Sequence, residues 1–249
     1  MPGLDTNRGA KRAREARERL GLDAVSPVPC LLTLVEREAQ LPVIVRAWPE
    51  HVAGALYRNG AGAIAFVNGT QWVERQRFTL AHELGHLCCG HTGSPVDTVQ
   101  TISGASRVPH EVQANAFAAE LLAPRAGVEA MVGHSPGLED VVGVAARYGI
   151  SSIAALFRLS TLGLVDARQA ARLKGEIEDR LHVEVWTYLG LEPMRDELAE
   201  IEDLPRLSPS LEDSALGALL RGETSPGAAA SSAGCTALTL GGAAADLSR

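Results

Sequence analysis

Two histidines and a glutamate in one apolar stretch, RFTLAHELGHLCCGH, are the residues of this sequence best suited to chemistry. His82 and His86 are four positions apart, and on a helix this spacing puts both imidazoles on one face, where they can bind a single metal ion. Glu83 lies about 100° further round the helix, beside the ion, where its carboxylate can take a proton from zinc-bound water. The HExxH spacing therefore predicts a zinc site with a general base.

Chance and ordinary core packing explain the HExxH motif less well than a zinc site does. With 7 histidines in 249 residues, an accidental match somewhere in the chain has odds of roughly 1%. The histidines could instead be core residues satisfied by local hydrogen bonds. That arrangement is costly, because Glu83 would then be buried on the same helix and would need a partner of its own.

A third metal ligand must come from another element, since a catalytic zinc commonly takes three protein ligands. Glu111 opens the next predicted helix, and Asn115 follows one turn later on the same face, where it can hold a ligand in place. Alternatively, Glu111 could be a first-turn glutamate that only stabilises the positive end of the helix dipole. His91 and His110 are competing ligands, but His91 lies past the expected helix end and His110 points about 100° away from Glu111.

The surrounding pattern predicts the elements that position these residues. Apolar periodicity predicts helices over residues 7–20, 27–37, 71–90, 110–124, 138–148, 151–162 and, more polar, 166–191. VIVRAW, GALY and AIAFVN, around a glycine-rich turn, predict three short antiparallel strands between residues 41 and 68. The fold class is therefore α+β, a mostly helical domain with a small antiparallel sheet.

Composition divides the chain into five predicted parts. They are an N-terminal helix (1–24), a core (25–135), a helix-turn-helix-like segment (136–165), a helical region (166–222) and a tail (223–249). The many charges of the first helix are typical of a solvated face, with a phosphate-binding patch as the alternative. Gly, Ala and Ser dominate the tail, so we expect it to be mobile.

Charge and hydropathy restrict the classes of partner. The formal net charge is −7, so a nucleic-acid surface would have to be a local basic patch on an acidic body. The sequence has no secretory signal and no run of ~18 apolar residues, which predicts a cytoplasmic protein that does not enter a membrane. Its four cysteines lack the spacing of a disulfide framework, so we expect reduced thiols.

The stretch VAARYGISSIAALFRLSTLG has the pattern of a helix-turn-helix, with Gly149 as the turn residue and a serine opening the second helix. A helix that reads DNA usually carries basic or amide side chains. This one is mostly apolar, so we expect a core helix, and direct DNA binding is the less favoured alternative.

Two segments, RQRFTLAHELGHLCCGH and HEVQANAFAAELLAP, resemble the ImmA/IrrE family of intracellular zinc metallopeptidases. In that family the HExxH helix is followed by a glutamate helix that ends in a leucine pair and a proline. The similarity includes GALYRNGAGAIAFVNGTQWVERQRF upstream and ARYGISSIAALFRLSTLGLV downstream, and it covers roughly residues 25–165. The departures are Cys88 and Cys89, where aliphatic residues are common, and the C-terminal region. We expect the two cysteines to be small core residues, with a redox or inhibitory-metal role as the alternative.

The resemblance implies a zincin-like fold with one zinc ion per chain. By the same resemblance, His82, His86 and Glu111 match the metal ligands, Glu83 the general base, and Asn115 the residue that supports a ligand. The residue that would donate a hydrogen bond to the oxyanion is not identified. The candidates are His91, His110, His134 and Tyr57, and their spacing in the sequence favours none of them.

The resemblance also implies an endopeptidase that cleaves one protein partner, typically a repressor of the XRE type, after DNA damage or during mobile-element induction. Glu83 would activate the attacking zinc-bound water. Two alternatives belong to other classes: a regulatory binding module that uses zinc for structure and a DNA-binding regulator.

Overall fold

The computed structural model describes residues 3–59, 62–91, 97–102, 106–191, 198, 206–212, 214–225 and 228–229. The helices are α1 (Leu4–Arg19), α2 (Leu31–Arg37), α3 (Val73–Cys89), α4 (Pro109–Leu122), α5 (Arg125–Met131), α6 (Leu138–Tyr148), α7 (Ser152–Leu162), α8 (Ala167–Glu178), α9 (Leu181–Tyr188), α10 (Pro209–Glu212) and α11 (Ala215–Leu220). The strands are β1 (Val43–Arg46), β2 (Val52–Asn59), β3 (Gly62–Asn68), β4 (Asp97–Thr98) and β5 (Arg206–Leu207). The α+β class is confirmed.

The sheet is mixed, with the strand order β4-β2-β3-β1-β5. β2 and β3 form the predicted antiparallel hairpin, but β1 runs parallel to β3, with Val43 opposite Ala65. The prediction that all three strands are antiparallel is therefore wrong at β1. Val43, Ile44 and Val45 are all buried, which is typical of a strand covered on both faces in a parallel pairing. Their uninterrupted apolar run was the signal for this arrangement.

Helix α3 begins immediately after the hairpin and carries the HELGH motif. Buried Asn68, at the end of β3, accepts a hydrogen bond from the Trp48 backbone N–H (3.1 Å) and donates one to the Val52 carbonyl (2.8 Å), so it fixes the path of the chain into this helix. Trp72 lies within the predicted helix range 71–90, but it precedes the first turn of α3 and is 75% exposed, so it does not belong to the buried apolar face of the helix. Gly90 ends the helix with φ 74°, a conformation that favours glycine.

Helix α4 packs closely against α3 and α1, and glycines make both approaches possible. A β-carbon on Gly85, inside the HELGH motif, would lie 3.1 Å from the Phe117 side chain. On the other side of α4, a β-carbon on Gly9 would lie 2.1 Å from the Gln113 carbonyl oxygen, which excludes any larger residue. The N-terminal helix is thus not solvated on all sides: Ala13, Ala16 and Arg17 are buried.

Helix α7 is the core helix that its composition predicts. Ala155, Leu156 and Leu159 are buried. Arg158, also buried, donates from Nε to the Ala123 carbonyl (2.8 Å) and forms an ion pair with Glu120 of α4. The only basic side chain of this helix therefore joins it to the glutamate helix of the candidate site.

Three short helices, α5, α10 and α11, lie outside the helix ranges predicted from the sequence. The polar stretch predicted as one helix over 166–191 is two, α8 and α9, separated at Arg180, where φ is 65°. In the part of the chain that the structure describes, no single helix has the length and apolar character of a membrane span; α6 and α7 satisfy that test only as a pair bent by 107°. The predicted tail lies outside the described residues except at 223–225 and 228–229. The five domain boundaries stay a prediction.

Candidate metal centre

The two histidines of α3 converge at the centre of the molecule. Both side chains are completely buried, and their Nε2 atoms lie 2.9 Å apart. Glu111, in the first turn of α4, extends between them: Oε2 lies 3.3 Å from His82 Nε2, and Oε1 lies 3.6 Å from His86 Nε2. The structure therefore brings together the three side chains that the sequence nominates as metal ligands.

Asp97, on strand β4, supplies a fourth donor that was not predicted from the sequence. Its Oδ2 atom lies 3.8 Å from His82 Nε2 and 3.9 Å from His86 Nε2. One donor atom from each of the four residues lies within 4.8 Å of the other three. Asp97 is the only carboxylate between the HELGH motif and Glu111 in the sequence, and this was the signal that could have identified it.

The donor set fits a zinc ion. Four tetrahedral ligands at zinc–nitrogen and zinc–oxygen distances of about 2.0–2.1 Å are separated from one another by about 3.3 Å. The separations that involve the two Nε2 atoms, 2.9–3.9 Å, lie around that value, and all four donor atoms lie within 4.8 Å of one another. Glu111 Oε2 is buried without a hydrogen-bond partner among the described residues. Such a carboxylate oxygen is costly unless a cation is nearby.

Asn115 holds the ring of His82 from behind. Its Oδ1 lies 2.9 Å from His82 Nδ1, and its own Nδ2 donates to the Thr101 carbonyl (2.9 Å). Because the amide oxygen must accept, Nδ1 of His82 carries the proton and Nε2 is left with a lone pair facing the other donors. This is the position predicted for Asn115, and it sets the tautomer that a metal ligand needs.

His91 supports the second histidine in the same way and starts a hydrogen-bonded chain towards α1. His86 Nδ1 lies 2.9 Å from His91 Nδ1, His91 Nε2 lies 3.3 Å from Gln113 Oε1, and Gln113 Nε2 donates to Asp5 Oδ1 (2.8 Å). The Asp5 carboxylate accepts from the Gln113 amide, so Gln113 Oε1 accepts from His91 Nε2–H. His91 Nδ1 then accepts from His86 Nδ1–H, which leaves a lone pair on His86 Nε2. Burial lowers the pKa of His91, which favours the neutral ring this chain requires. His91 is thus placed behind a ligand.

Replacing Gln113 with leucine is expected to weaken zinc binding about 10-fold. The substitution removes the acceptor for His91 and the donor to Asp5, and loss of such outer partners typically costs 10–100-fold in metal affinity. Competition with a chromophoric chelator measures the zinc dissociation constant. Gln169→Leu is the matched control, because Gln169, on α8, donates a hydrogen bond to the carbonyl of Pro136, before α6, and neither residue belongs to the donor cluster. Equal affinities for both variants would show that the chain does not support His86.

Glu83 lies beside the four donors under strand β2. Its side chain is completely buried and lies next to the Asp97 carboxylate. Burial raises the pKa of Glu83 well above its ordinary value, and the nearby carboxylates of Asp97 and Glu111 raise it further. The carboxyl group is therefore suited to holding a proton as well as releasing one.

Gly54 makes the approach of β2 to Glu83 possible. A β-carbon there would lie 2.5 Å from Thr79 Cγ2, 2.6 Å from the Phe66 carbonyl oxygen and 3.1 Å from Glu83 Oε1. Any side chain would push the strand away from the carboxylate. The sequence offers no local sign of this role, since Gly54 looks like an ordinary break before the alternating residues of β2.

Glu111 has the opposite electrostatic environment to Glu83. Burial opposes its ionisation, but His82 and His86 outweigh that effect when their facing nitrogens carry protons, and they then hold the pKa of Glu111 well below its ordinary value. His110 lies at the solvent side of the same carboxylate, with Nε2 3.2 Å from Glu111 Oε1 and a half-exposed side chain. The pKa values of the two carboxyl groups are thus shifted in opposite directions, so Glu83 is suited to proton transfer and Glu111 to a permanent negative charge.

Cys88 and Cys89 are not part of the four-donor cluster and lie near charged side chains of α1. Arg19 Nη2, on α1, lies 4.0 Å from Cys88 Sγ, and Cys88 packs against the apolar core. Burial raises the pKa of Cys88 and raises the pKa of Cys89 to about 11. Thiols that stay protonated are poor nucleophiles and poor metal ligands, in agreement with the predicted packing role.

The sequence of this chain also matches a known protein family. Residues 45–160 match the Peptidase_M78 family, described as the IrrE N-terminal-like domain. The matched segment runs from β1 to α7 and contains all four donors, Glu83 and Asn115. No curated protein matches the chain.

Proposed function

Residues 45–160 belong to the IrrE N-terminal-like domain family of M78 peptidases, and from this premise we propose that the protein is a zinc-dependent endopeptidase that cleaves a specific protein partner. The partner we propose is a transcriptional repressor of the XRE type, and the compartment we propose is the cytoplasm. One observation carries the enzymatic part: a buried general-base candidate, Glu83, lies beside the histidine pair and Glu111. A site that only holds a metal has no need of that carboxylate.

His82, His86 and Glu111 would hold the zinc ion. When bound at such a centre, zinc supplies Lewis acidity, which polarises a scissile carbonyl group and makes water more acidic. Asn115 and His91 keep the two imidazoles in the ligating tautomer and fix their orientation. The rigid packing of α3 on α4 at Gly85 keeps Glu111 in reach of both rings.

Glu83 moves the proton. In the proposed reaction its carboxylate takes a proton from the attacking water and delivers the same proton to the leaving amine. Its side chain is completely buried beside Asp97 and Glu111, which limits the water that can reach it. His110, half-exposed beside Glu111, is better placed than His91 to donate to the oxyanion, since both ring nitrogens of His91 are engaged.

A second candidate function is a regulatory binding module with a structural zinc. The fourth donor favours it, because structural zinc sites are closed by four protein ligands whereas catalytic sites keep one position open. Asp97 closes the described cluster. The two functions differ in whether Asp97 leaves the metal when a partner binds.

Metal-dependent cleavage of a purified partner tests the proposed function. The substrate candidate is the small helix-turn-helix repressor that we expect to be encoded beside this gene, incubated with the zinc-loaded protein. We expect two discrete fragments, no cleavage after treatment with a chelator, and recovery when zinc is restored. Tight binding with no cleavage under any metal condition would favour the binding module.

A further inference from the structure

Strand β4 occupies the outer edge of β2. The two strands are antiparallel, with Thr98 opposite Val52 and Asp97 opposite Gly54, and the Val99 backbone N–H donates to the His51 carbonyl (3.0 Å). The strand order places β4 at the end of the sheet. Such an edge is the common template on which a protein binds an extended peptide by adding a strand.

This edge is also the one next to the candidate general base. Gly54, which pairs with Asp97, is the residue whose missing side chain lets β2 lie over Glu83. A peptide paired with β2 at this point would bring one of its carbonyl groups beside the Glu83 carboxylate and the metal ligands. β4 therefore takes the place that a substrate backbone would need.

Asp97 closes the metal cluster at the same time. Its carboxylate is 1% exposed, and it faces both imidazoles at 3.8 and 3.9 Å. With Asp97 in this position, His82, Glu83 and His86 are all completely buried. Among the described residues, Asp97 is the side chain of β4 that a substrate carbonyl would have to displace to reach Glu83.

We propose that β4 is an internal inhibitor of the peptidase: Asp97 caps the metal, the β4 backbone fills the edge of β2, and an extended substrate segment must displace both. The inference rests on the proposed function. Displacement of β4 by the substrate explains why the metal cluster is closed in the free protein. It also explains why the proposed enzyme would act on one partner. A peptide that pairs weakly with β2 does not displace β4, so unfolded proteins in general are poor substrates.

Access of a small metal-binding probe tests the inhibitor without relying on hydrolysis. The full-length protein and Asp97→Ala would be loaded with cobalt(II), and the binding of acetohydroxamate would be followed by the visible absorption of the cobalt centre. A capped state that opens 0.1–10% of the time weakens the apparent affinity of the probe by that fraction. Asp97→Ala is therefore expected to bind acetohydroxamate about 10- to 1000-fold more tightly than the unmodified protein.

Two further variants keep the result interpretable. Asp97→Asn preserves the size of the side chain but removes its charge, so it should also bind the probe more tightly, even if the alanine variant unfolds. Glu129→Gln removes an exposed carboxylate paired with Arg125 (2.8 Å) and should match the unmodified protein. Equal acetohydroxamate affinity in the unmodified protein and both Asp97 variants would overturn the inhibitor.

Hydrolysis of a denatured protein by the same samples separates this inference from the proposed function. Faster hydrolysis by Asp97→Ala supports both. Tighter probe binding by that variant with no hydrolysis of the denatured protein or of the repressor supports the capping role of Asp97 and overturns the endopeptidase. Equal probe affinity together with repressor cleavage overturns the inhibitor and leaves the endopeptidase standing.

Discussion

Replacing Glu83 with glutamine is expected to lower the rate of partner cleavage by about 10²–10⁴-fold, the range that general acid–base groups contribute. Glutamine has the same shape but cannot take a proton from the attacking water. Its amide lies next to the ligands without being one of them, so the zinc dissociation constant should stay within a few-fold of the original. Single-turnover cleavage of the repressor and chelator competition measure the two quantities.

The Glu83→Gln protein should fold at least as stably as the parent. The carboxyl group is completely buried beside the carboxylates of Asp97 and Glu111, and an amide, which stays neutral, costs less to bury in such a place than a charged carboxylate. A loss of cleavage therefore could not be attributed to unfolding, which thermal denaturation would verify. Glu129→Gln serves as the exposed acid-to-amide control. Normal cleavage by Glu83→Gln would eliminate Glu83 as the base.

The parts of the site that the sequence predicted depend on local geometry. The spacing of His82 and His86 fixes their relation once α3 forms, and the apolar periodicity of residues 71–90 predicts that helix. Glu111 was placed by a similar argument, since it opens the next predicted helix, from whose first turn a carboxylate can reach back to α3. Each of these inferences uses one helix or one turn.

The parts that the sequence did not predict depend on contacts between distant segments. Asp97 reaches the cluster because β4 pairs with β2, and a two-residue strand leaves no periodic pattern. Asp5 and Gln113 join the support of His86 only because Gly9 lets α1 lie against α4. Alternating residues predict that a strand exists and which face is buried, but not its partner or direction, which is why the pairing of β1 was wrong.

Buried arginines illustrate the same limit. The sequence suggests that Arg17 belongs to a solvated basic helix, yet it is buried and donates from Nη2 to the carbonyls of Asp23 and Ser26, each at 2.6 Å. Arg77 donates to the Val28 carbonyl (2.6 Å) and the Gly149 carbonyl (3.3 Å), which ties the site helix α3 to the turn between α6 and α7. A guanidinium group satisfies several carbonyl groups that have no partner in a helix or strand, and composition alone does not show which arginine does so.

Replacing Glu111 with alanine is expected to weaken zinc binding by more than about 100-fold, beyond the loss typical of an outer partner. Its two oxygens each face a different imidazole, at 3.3 and 3.6 Å, whereas Asp97 offers one oxygen at 3.8 and 3.9 Å. Zinc at 100 times its dissociation constant stabilises a folded protein by about 2.7 kcal/mol. Under that zinc concentration the thermal midpoint of the parent should rise, and that of Glu111→Ala should not.

The loss of zinc affinity in Glu111→Ala should be compared with the loss in Asp97→Ala, because the two proposed functions predict different ratios. If zinc serves structure alone, the four donors are equivalent, and loss of either carboxylate weakens zinc to a similar extent. In a capped peptidase Glu111 is a permanent ligand and Asp97 a displaceable one, so Glu111→Ala must lose at least 10 times more affinity than Asp97→Ala. Glu111→Gln, which keeps the side-chain size, guards against a packing defect at the start of α4. Unchanged zinc affinity in both Glu111 variants would refute the predicted ligand set and would leave Asp97 as the third ligand.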